Sequence, residues 1–251
     1  MDYELWQRRW DLQQEGYMPD REPRLTALLD VVEARGTRAP SVLDLAGGTG
    51  SITRRLLSRL PEARSVLVDI DPALLALARG SFAGDERVRV VAADLSSPAW
   101  TAALESGRFD AVVTATALHW LEPDRLRSLY EEIRGLLREG GLLANVDHLH
   151  DEGLAPLEEG FARILSVRGE TYRSEHGALD WQGWWAALAD EPEMRPLVEA
   201  RDEIFGPGGS QSHARAVLSS RWHLDALRDA GFASVGIAWR NLGDALVVGL
   251  V

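Results

Sequence analysis

The 251-residue chain contains no cysteine, which excludes disulfides, thiolate zinc sites and a cysteine nucleophile. Lysine is also missing: all 27 basic residues are arginine. Schiff-base, pyridoxal and lysine-dependent P-loop chemistry are therefore excluded. No apolar run approaches the roughly twenty residues that span a bilayer, so no membrane partner is expected. The first residues, Met1-Asp2-Tyr3-Glu4-Leu5-Trp6, lack the basic and apolar regions of a secretory signal, and the expected location is the cytoplasm. Positive charge is scarce too. A formal net charge of −12 opposes binding to a phosphate backbone, and no nucleic-acid partner is expected.

What is present is an ordinary globular composition, 45% hydrophobic and 26% charged, in a chain long enough for one α/β domain with an elaborated lid. Leu5, Trp6, Arg9, Trp10 and Gln13 suit a helix ending near Gly16, and Leu25, Leu28, Leu29 and Val32 suit a second, stopped by Gly36 and Pro40. From Ser41 onward, short β-branched runs alternate with amphipathic helices, the pattern of βαβ units feeding a parallel sheet. Strands are expected at 41–45, 65–69, 88–92, 111–114 and 142–146. A helix over about 123–138 should close at Gly140-Gly141.

Residues 151–220 contain no convincing strand but show helical stripes, Leu157, Phe161, Ile164 and Leu165, then Trp181, Trp184, Trp185 and Leu188. Gly206-Pro207-Gly208-Gly209-Ser210 reads as a loop. The chain should end as helix, strand, turn and strand, closing the sheet with an antiparallel hairpin. The expected organisation is N-terminal helices over 1–36, a cofactor-binding core over 37–150 and 221–251, and a helical lid over 151–220.

A glycine-rich turn from strand to helix lets backbone amides approach a ligand where a Cβ would collide. Asp44-Leu45-Ala46-Gly47-Gly48-Thr49-Gly50 forms such a turn after the first strand. Asp69 ends the second strand, where a carboxylate can accept both hydroxyls of a ribose. Asp94 follows the third, where a carboxylate can accept from an adenine amino group. Together they describe an adenosine-shaped site at the sheet's topological switch point. Asp71 is instead explained by helix capping, since Pro72 follows it.

Nicotinamide enzymes share the glycine turn and the first acid, but their fingerprint requires a third glycine where this chain has Thr53. Asp44, at the head of the loop, suits a ligand carrying an ammonium group. The run 42–50, with Val68-Asp69-Ile70-Asp71, Ala92-Ala93-Asp94-Leu95 and Phe109-Asp110-Ala111-Val112-Val113, resembles the class I S-adenosylmethionine-dependent methyltransferases. The likeness is nearest to the small-molecule branch that includes the ubiquinone-pathway and trans-aconitate enzymes. It covers about residues 20–150 and the C-terminal hairpin, and it implies a Rossmann-like fold. By this resemblance Asp44, Gly47, Gly48 and Gly50 hold the methionine end, Asp69 and Ile70 the ribose and adenine, and Asp94 and Leu95 the adenine. Ala46 departs from the family, which usually has its first glycine there.

His119, after the fourth strand, is a candidate general base on a hydroxyl or amine, or else a histidine that only shapes the pocket. Asp147, His148 and His150 follow the fifth strand, with too few ligands for a metal site. His148 is the better candidate for a substrate contact, joined by Trp185 and Tyr172. Trp120 is expected to pack. Tyr17 and Arg21 or Arg24 could close over the cofactor, one arginine reaching its carboxylate. With these residues the resemblance implies methyl transfer to an oxygen or nitrogen of a small apolar or aromatic metabolite, such as a specialised natural product; a monomer or homodimer is expected. A noncatalytic cofactor-binding or regulatory protein and a nicotinamide-dependent oxidoreductase remain as alternatives.

Overall fold

The computed structural model describes residues 1–104, 107–206 and 218–251. Two helices, α1 (Tyr3–Tyr17) and α2 (Arg21–Ala34), lead into β1 (Ser41–Leu45), α3 (Ser51–Arg59), β2 (Arg64–Asp69), α4 (Pro72–Ser81) and β3 (Val88–Ala92). The alternation continues through β4 (Phe109–Ala115), α5 (Pro123–Leu136) and β5 (Leu137–His148). Three helices follow, α6 (Glu158–His176), α7 (Trp181–Ala189) and α8 (Arg195–Phe205). The chain then returns through α9 (Ser220–Asp229) to the hairpin β6 (Ser234–Asn241) and β7 (Asp244–Leu250). Pro207 to Ser210 of the expected glycine-rich loop lie outside the described residues.

The seven strands form one sheet in the order β3-β2-β1-β4-β5-β7-β6. β1 to β5 run parallel, and β7 inserts antiparallel between β5 and β6. The β-branched runs are buried on both faces, with Val42, Leu43, Val112, Val113, Leu143 and Ala144 fully enclosed, as a sheet covered by helices on both sides requires. Chain order reverses between β1 and β4, so the carboxyl ends of these neighbouring strands flank a crevice. Because β7 is antiparallel, its first residue lies at that same edge, and Asp244 pairs in register with His148.

One expectation about the elements needs correction. Gly140 and Gly141 do not cap α5: the helix passes directly into β5 at Leu137, and the left-handed Gly140 (φ +72°) bends the strand from within. The stripe over 157–165 does form a helix, α6, with Phe161 and Leu165 half-buried, Ile164 exposed and Gly169 the buried residue. α6 crosses α1 at a glycine pair, where a Cβ on Gly169 would lie 2.3 Å from the Gly16 carbonyl oxygen. Arg173 Nη1 donates to that same oxygen at 2.6 Å.

The tryptophans of α7 do pack. Trp184 stands edge-on to Trp6 and Trp10 of α1, with centroids 5.7 and 4.8 Å away, and this cluster rests on Ala73, Leu74 and Leu77 of α4.

The crossing predicts opposite outcomes for two glycine substitutions. Gly169→Ala should cost about 1–3 kcal/mol through overpacking and make α6 a target of limited proteolysis. Gly135→Ala, on α5 with nothing within 4 Å of the added carbon, should gain about 0.5–1 kcal/mol in denaturant unfolding.

Candidate functional site

The turn after β1 is shaped by backbone that few side chains tolerate. Gly48 and Gly50 have φ of +55° and +87°. Ala46, at the position where the resembling family has glycine, also adopts φ +51°, a conformation unfavourable for an L-residue. Gly47 is needed for a different reason: a Cβ there would lie 2.9 Å from Asp44 Cγ and 2.7 Å from Leu67 Cγ.

Asp44, at the end of β1, has no exposed surface. Its Oδ2 accepts from Thr53 twice, at 2.7 Å from the hydroxyl and 3.2 Å from the backbone N–H in the first turn of α3. Its Oδ1 is buried with no hydrogen-bond partner. Burial pushes this carboxyl up to about 7 against the Thr53 hydrogen bonds, and the nearby Asp69 charge adds to the rise. Thr53 thus occupies the third-glycine position for a positive reason, because its hydroxyl ties the strand end to the helix start.

Asp69 braces the turn from the neighbouring strand. Its Oδ2 accepts from Gly48 N at 2.8 Å and its Oδ1 from Asp71 N at 2.8 Å, while burial raises its pKa. Asp71 caps α4 as expected, accepting from Ala73 N and Leu74 N. It also takes a 2.9 Å bond from buried Arg201 Nε, and burial pushes it up to about 6. Ile70 is half-buried beside them. Asp94, after β3, accepts from the Ser96 amide and hydroxyl at 2.8 and 2.7 Å. Leu95 is buried, and its carbonyl accepts from Arg125 Nε.

The closing residues expected near the N-terminus are already committed elsewhere. Arg21 is buried in an ion pair with Asp11 at 2.8 Å, beside Ser51 Oγ, which donates to the same carboxylate. Arg24 pairs with Asp244. Tyr17 is exposed, and its hydroxyl accepts from Trp181 N. Trp185, expected at the substrate, lies in the aromatic cluster with the Arg201 guanidinium 3.9 Å from its ring centroid. Tyr172 stacks on His176 at 4.0 Å on α6, outside the cavity described next.

Across the switch point, a cavity of about 180 Å³ is lined by His119, Leu121, Glu122, Pro123, His148, Leu218 and His223. His119 sits in a short turn after β4 with its Nδ1 2.7 Å from Asp147 Oδ1, and its backbone N–H donates to Asp147 Oδ2. Asp147, at the end of β5, is wholly buried. Burial opposes its ionisation, but His119 and His148 outweigh that and hold its pKa below the usual value.

His148 Nδ1 lies 2.6 Å from Asp244 Oδ1. Burial works against charge on this ring, yet Asp244 and Asp147 prevail and raise its pKa. His223, on α9, has its Nδ1 2.7 Å from the Tyr130 hydroxyl, and burial pushes its pKa down to about 4. Trp120 does not pack in the core: it is 45% exposed, with its ring 4.9 Å from that of His119. Among the described residues, no three His, Asp or Glu side chains are grouped to hold a metal.

Sequence reasoning missed three members of this cluster. From the sequence Asp147 reads only as a candidate metal ligand, and neither Asp244, which opens the last strand, nor His223 stands out. The expected C-terminal hairpin names no partner strand; it is the observed pairing of β7 with β5 that places Asp244 opposite His148.

Residues 42–141 match the family described as a methyltransferase domain. Over 120 residues the chain is 38% identical to an uncharacterized methyltransferase of Mycobacterium tuberculosis, covering 48% of this chain and 55% of that protein. A malonyl-[acyl-carrier protein] O-methyltransferase of Paenibacillus sp. is 27% identical over 154 residues, covering 60% of this chain and 54% of that protein. The chain spans about half the length of the curated relatives it matches. An O-methyltransferase family protein from Burkholderia thailandensis superposes with a TM-score of 0.61 at 19% identity, over 96% of this chain and 59% of that one. At that identity the likeness is one of fold.

His148 and His223 should separate in a histidine NMR titration. His148 should titrate above the ordinary histidine midpoint of about 6.5 and fall back in Asp244→Asn, while His223 should stay neutral down to about 4. Coincident midpoints for His148 and His223 would contradict these environments.

Proposed function

On the premise that residues 42–141 match a methyltransferase domain, we propose that the chain binds S-adenosylmethionine in the class I manner and methylates an oxygen or nitrogen of a small acceptor in the histidine-lined cavity. The observation that carries this reading is the buried, unpartnered Oδ1 of Asp44 at the head of the glycine turn. A wholly enclosed carboxylate oxygen without a donor costs stability unless a ligand supplies one, and the methionine ammonium is such a donor.

The remaining cofactor contacts follow from placement. The Ala46, Gly47, Gly48 and Gly50 backbone passes close enough for amide contact with the methionine end. Asp69 keeps lone pairs free for the ribose hydroxyls after accepting one N–H on each oxygen. Ile70 and Leu95 offer apolar surface to the adenine, and Asp94 offers its carboxylate to the amino group. S-adenosylmethionine brings an already activated methyl group, so the protein's tasks are alignment, exclusion of water and removal of one acceptor proton.

His119 is suited to the last task. Asp147 engages its Nδ1 and leaves Nε2 for the acceptor, while the buried carboxylate stabilises the imidazolium formed when the proton arrives. Leu121, Pro123 and Leu218 give the cavity apolar walls, which favour an apolar or aromatic body, as in a specialised metabolite. Of the expected lid, the described helices α7 and α8 support that role: they pack against α4, and Arg201 is bonded to Asp71, two residues from Asp69. The malonyl-carrier O-methyltransferase among the relatives supports oxygen as the methylated atom.

Asp69→Ala should weaken S-adenosylhomocysteine binding about 10- to 100-fold by calorimetry, the worth of a lost charge-assisted hydrogen bond. Undiminished affinity would sink the cofactor assignment. His119→Ala and Asp147→Asn should each slow turnover about 10²- to 10⁴-fold with cofactor affinity kept, read on an acceptor found by screening with methyl-labelled S-adenosylmethionine. Turnover that is unchanged across pH would remove the base role.

A further inference from the structure

The cavity holds two histidines on its sheet edge, and they are anchored differently. His119 and His148 have ring centroids 5.6 Å apart, and each is fixed through Nδ1, leaving Nε2 as the free ring nitrogen. His119 is backed by Asp147, which reaches both its ring and its backbone N–H. His148 is backed by Asp244, which Arg24 also engages.

Both carboxylates are buried behind the rings, at 0% and 5% side-chain exposure, whereas the His148 side chain is 43% exposed. Asp244 therefore reaches the cavity through the His148 ring rather than through its own negative charge. The charged and titratable groups facing His148 are Asp244 from β7, Asp147 from β5, Arg24 from α2 and His119 from the turn after β4. Glu122 also lines the cavity and is exposed.

We propose that the cavity takes an acceptor carrying an anionic oxygen on the atom next to, or one beyond, the carbon that bears the methyl-accepting hydroxyl, with His119 facing the hydroxyl and His148 the anionic oxygen. The proposal rests on the methyl-transfer reading and names the substrate class of that site. The spacing supports it. Two hydrogen bonds of about 2.8 Å from rings 5.6 Å apart converge on neighbouring oxygens more readily than on groups at opposite ends of an aromatic ring. The raised pKa of His148 agrees with a charged donor at this position. His119 then removes the hydroxyl proton, and the oxygen's electron pair forms the new bond to the methyl carbon as the carbon–sulfur bond breaks. The sulfonium leaves as a neutral thioether, and His119 keeps the proton.

The test uses two isomers of equal charge, 2-hydroxybenzoate and 4-hydroxybenzoate, titrated calorimetrically into the full chain with and without saturating S-adenosylhomocysteine. The expected result is at least tenfold tighter binding of the 2-isomer. In His148→Gln the preference should fall to within twofold while S-adenosylhomocysteine affinity, which also reports folding, is kept. Equal affinity for the isomers, no binding of either, or an unchanged preference in His148→Gln would overturn the proposal. Isomer preference without any S-adenosylhomocysteine binding would support the anion site and sink the methyl-transfer reading instead.

Discussion

A carboxylate sealed from water at the end of β1 sets the terms for everything around it. Asp44 has no exposed surface, and Thr53 satisfies just one of its oxygens. Residue 47 must then be glycine, because a Cβ would press on the carboxyl carbon. The first turn of α3 must reach back to the strand, which Thr53 does through both its hydroxyl and its amide. Asp69 grips the same turn from β2 through Gly48. Two acids thus hold a loop whose Ala46, Gly48 and Gly50 sit in left-handed backbone, and the loop ends with one oxygen unpaired. An unsatisfied buried acceptor is costly, and a cationic ligand is the direct remedy.

The second half of the site depends on strand direction. A sixth parallel strand would send its amino end to the far edge of the sheet. Because β7 runs antiparallel, Asp244 arrives opposite His148. Arg24 from α2 joins that carboxylate, so the N-terminal helices are fastened to the strand end beside the histidine-lined cavity, while Arg201 fastens α8 to the strand end beside the glycine turn through Asp71. The crevice between β1 and β4 brings the two halves together.

How far the sequence could be read follows from the range of the interactions concerned. Strands β1 to β3 are stretches of local pattern, and so was the glycine turn with Asp69 and Asp94. Burial of Trp184 was legible from its helical spacing. The partners of His119, His148 and His223 were not, since Asp147, Asp244 and Tyr130 lie 28, 96 and 93 residues away in the chain and only register and packing bring them close. The stripe on α6 announced a helix but not its partner, because apolar spacing reports a face without saying what covers it. Arg21 misled because an arginine near a cofactor loop looks available until its acid, here Asp11, is placed. Gly140 was read as a cap because a left-handed glycine serves equally well inside a bent strand.

The central claim is that the glycine turn receives the ammonium end of an S-adenosylmethionine-type ligand at Asp44. Below pH of about 7, burial keeps this carboxyl protonated in the free protein. A bound cation favours the carboxylate, so binding expels the proton and affinity rises with pH up to about 7. The measurement is calorimetric titration of S-adenosylhomocysteine at pH 6 in two buffers of different ionisation enthalpy. The account predicts release of most of a proton by the native chain and loss of that release in Asp44→Asn. Binding without proton release, or no binding at all, would contradict it.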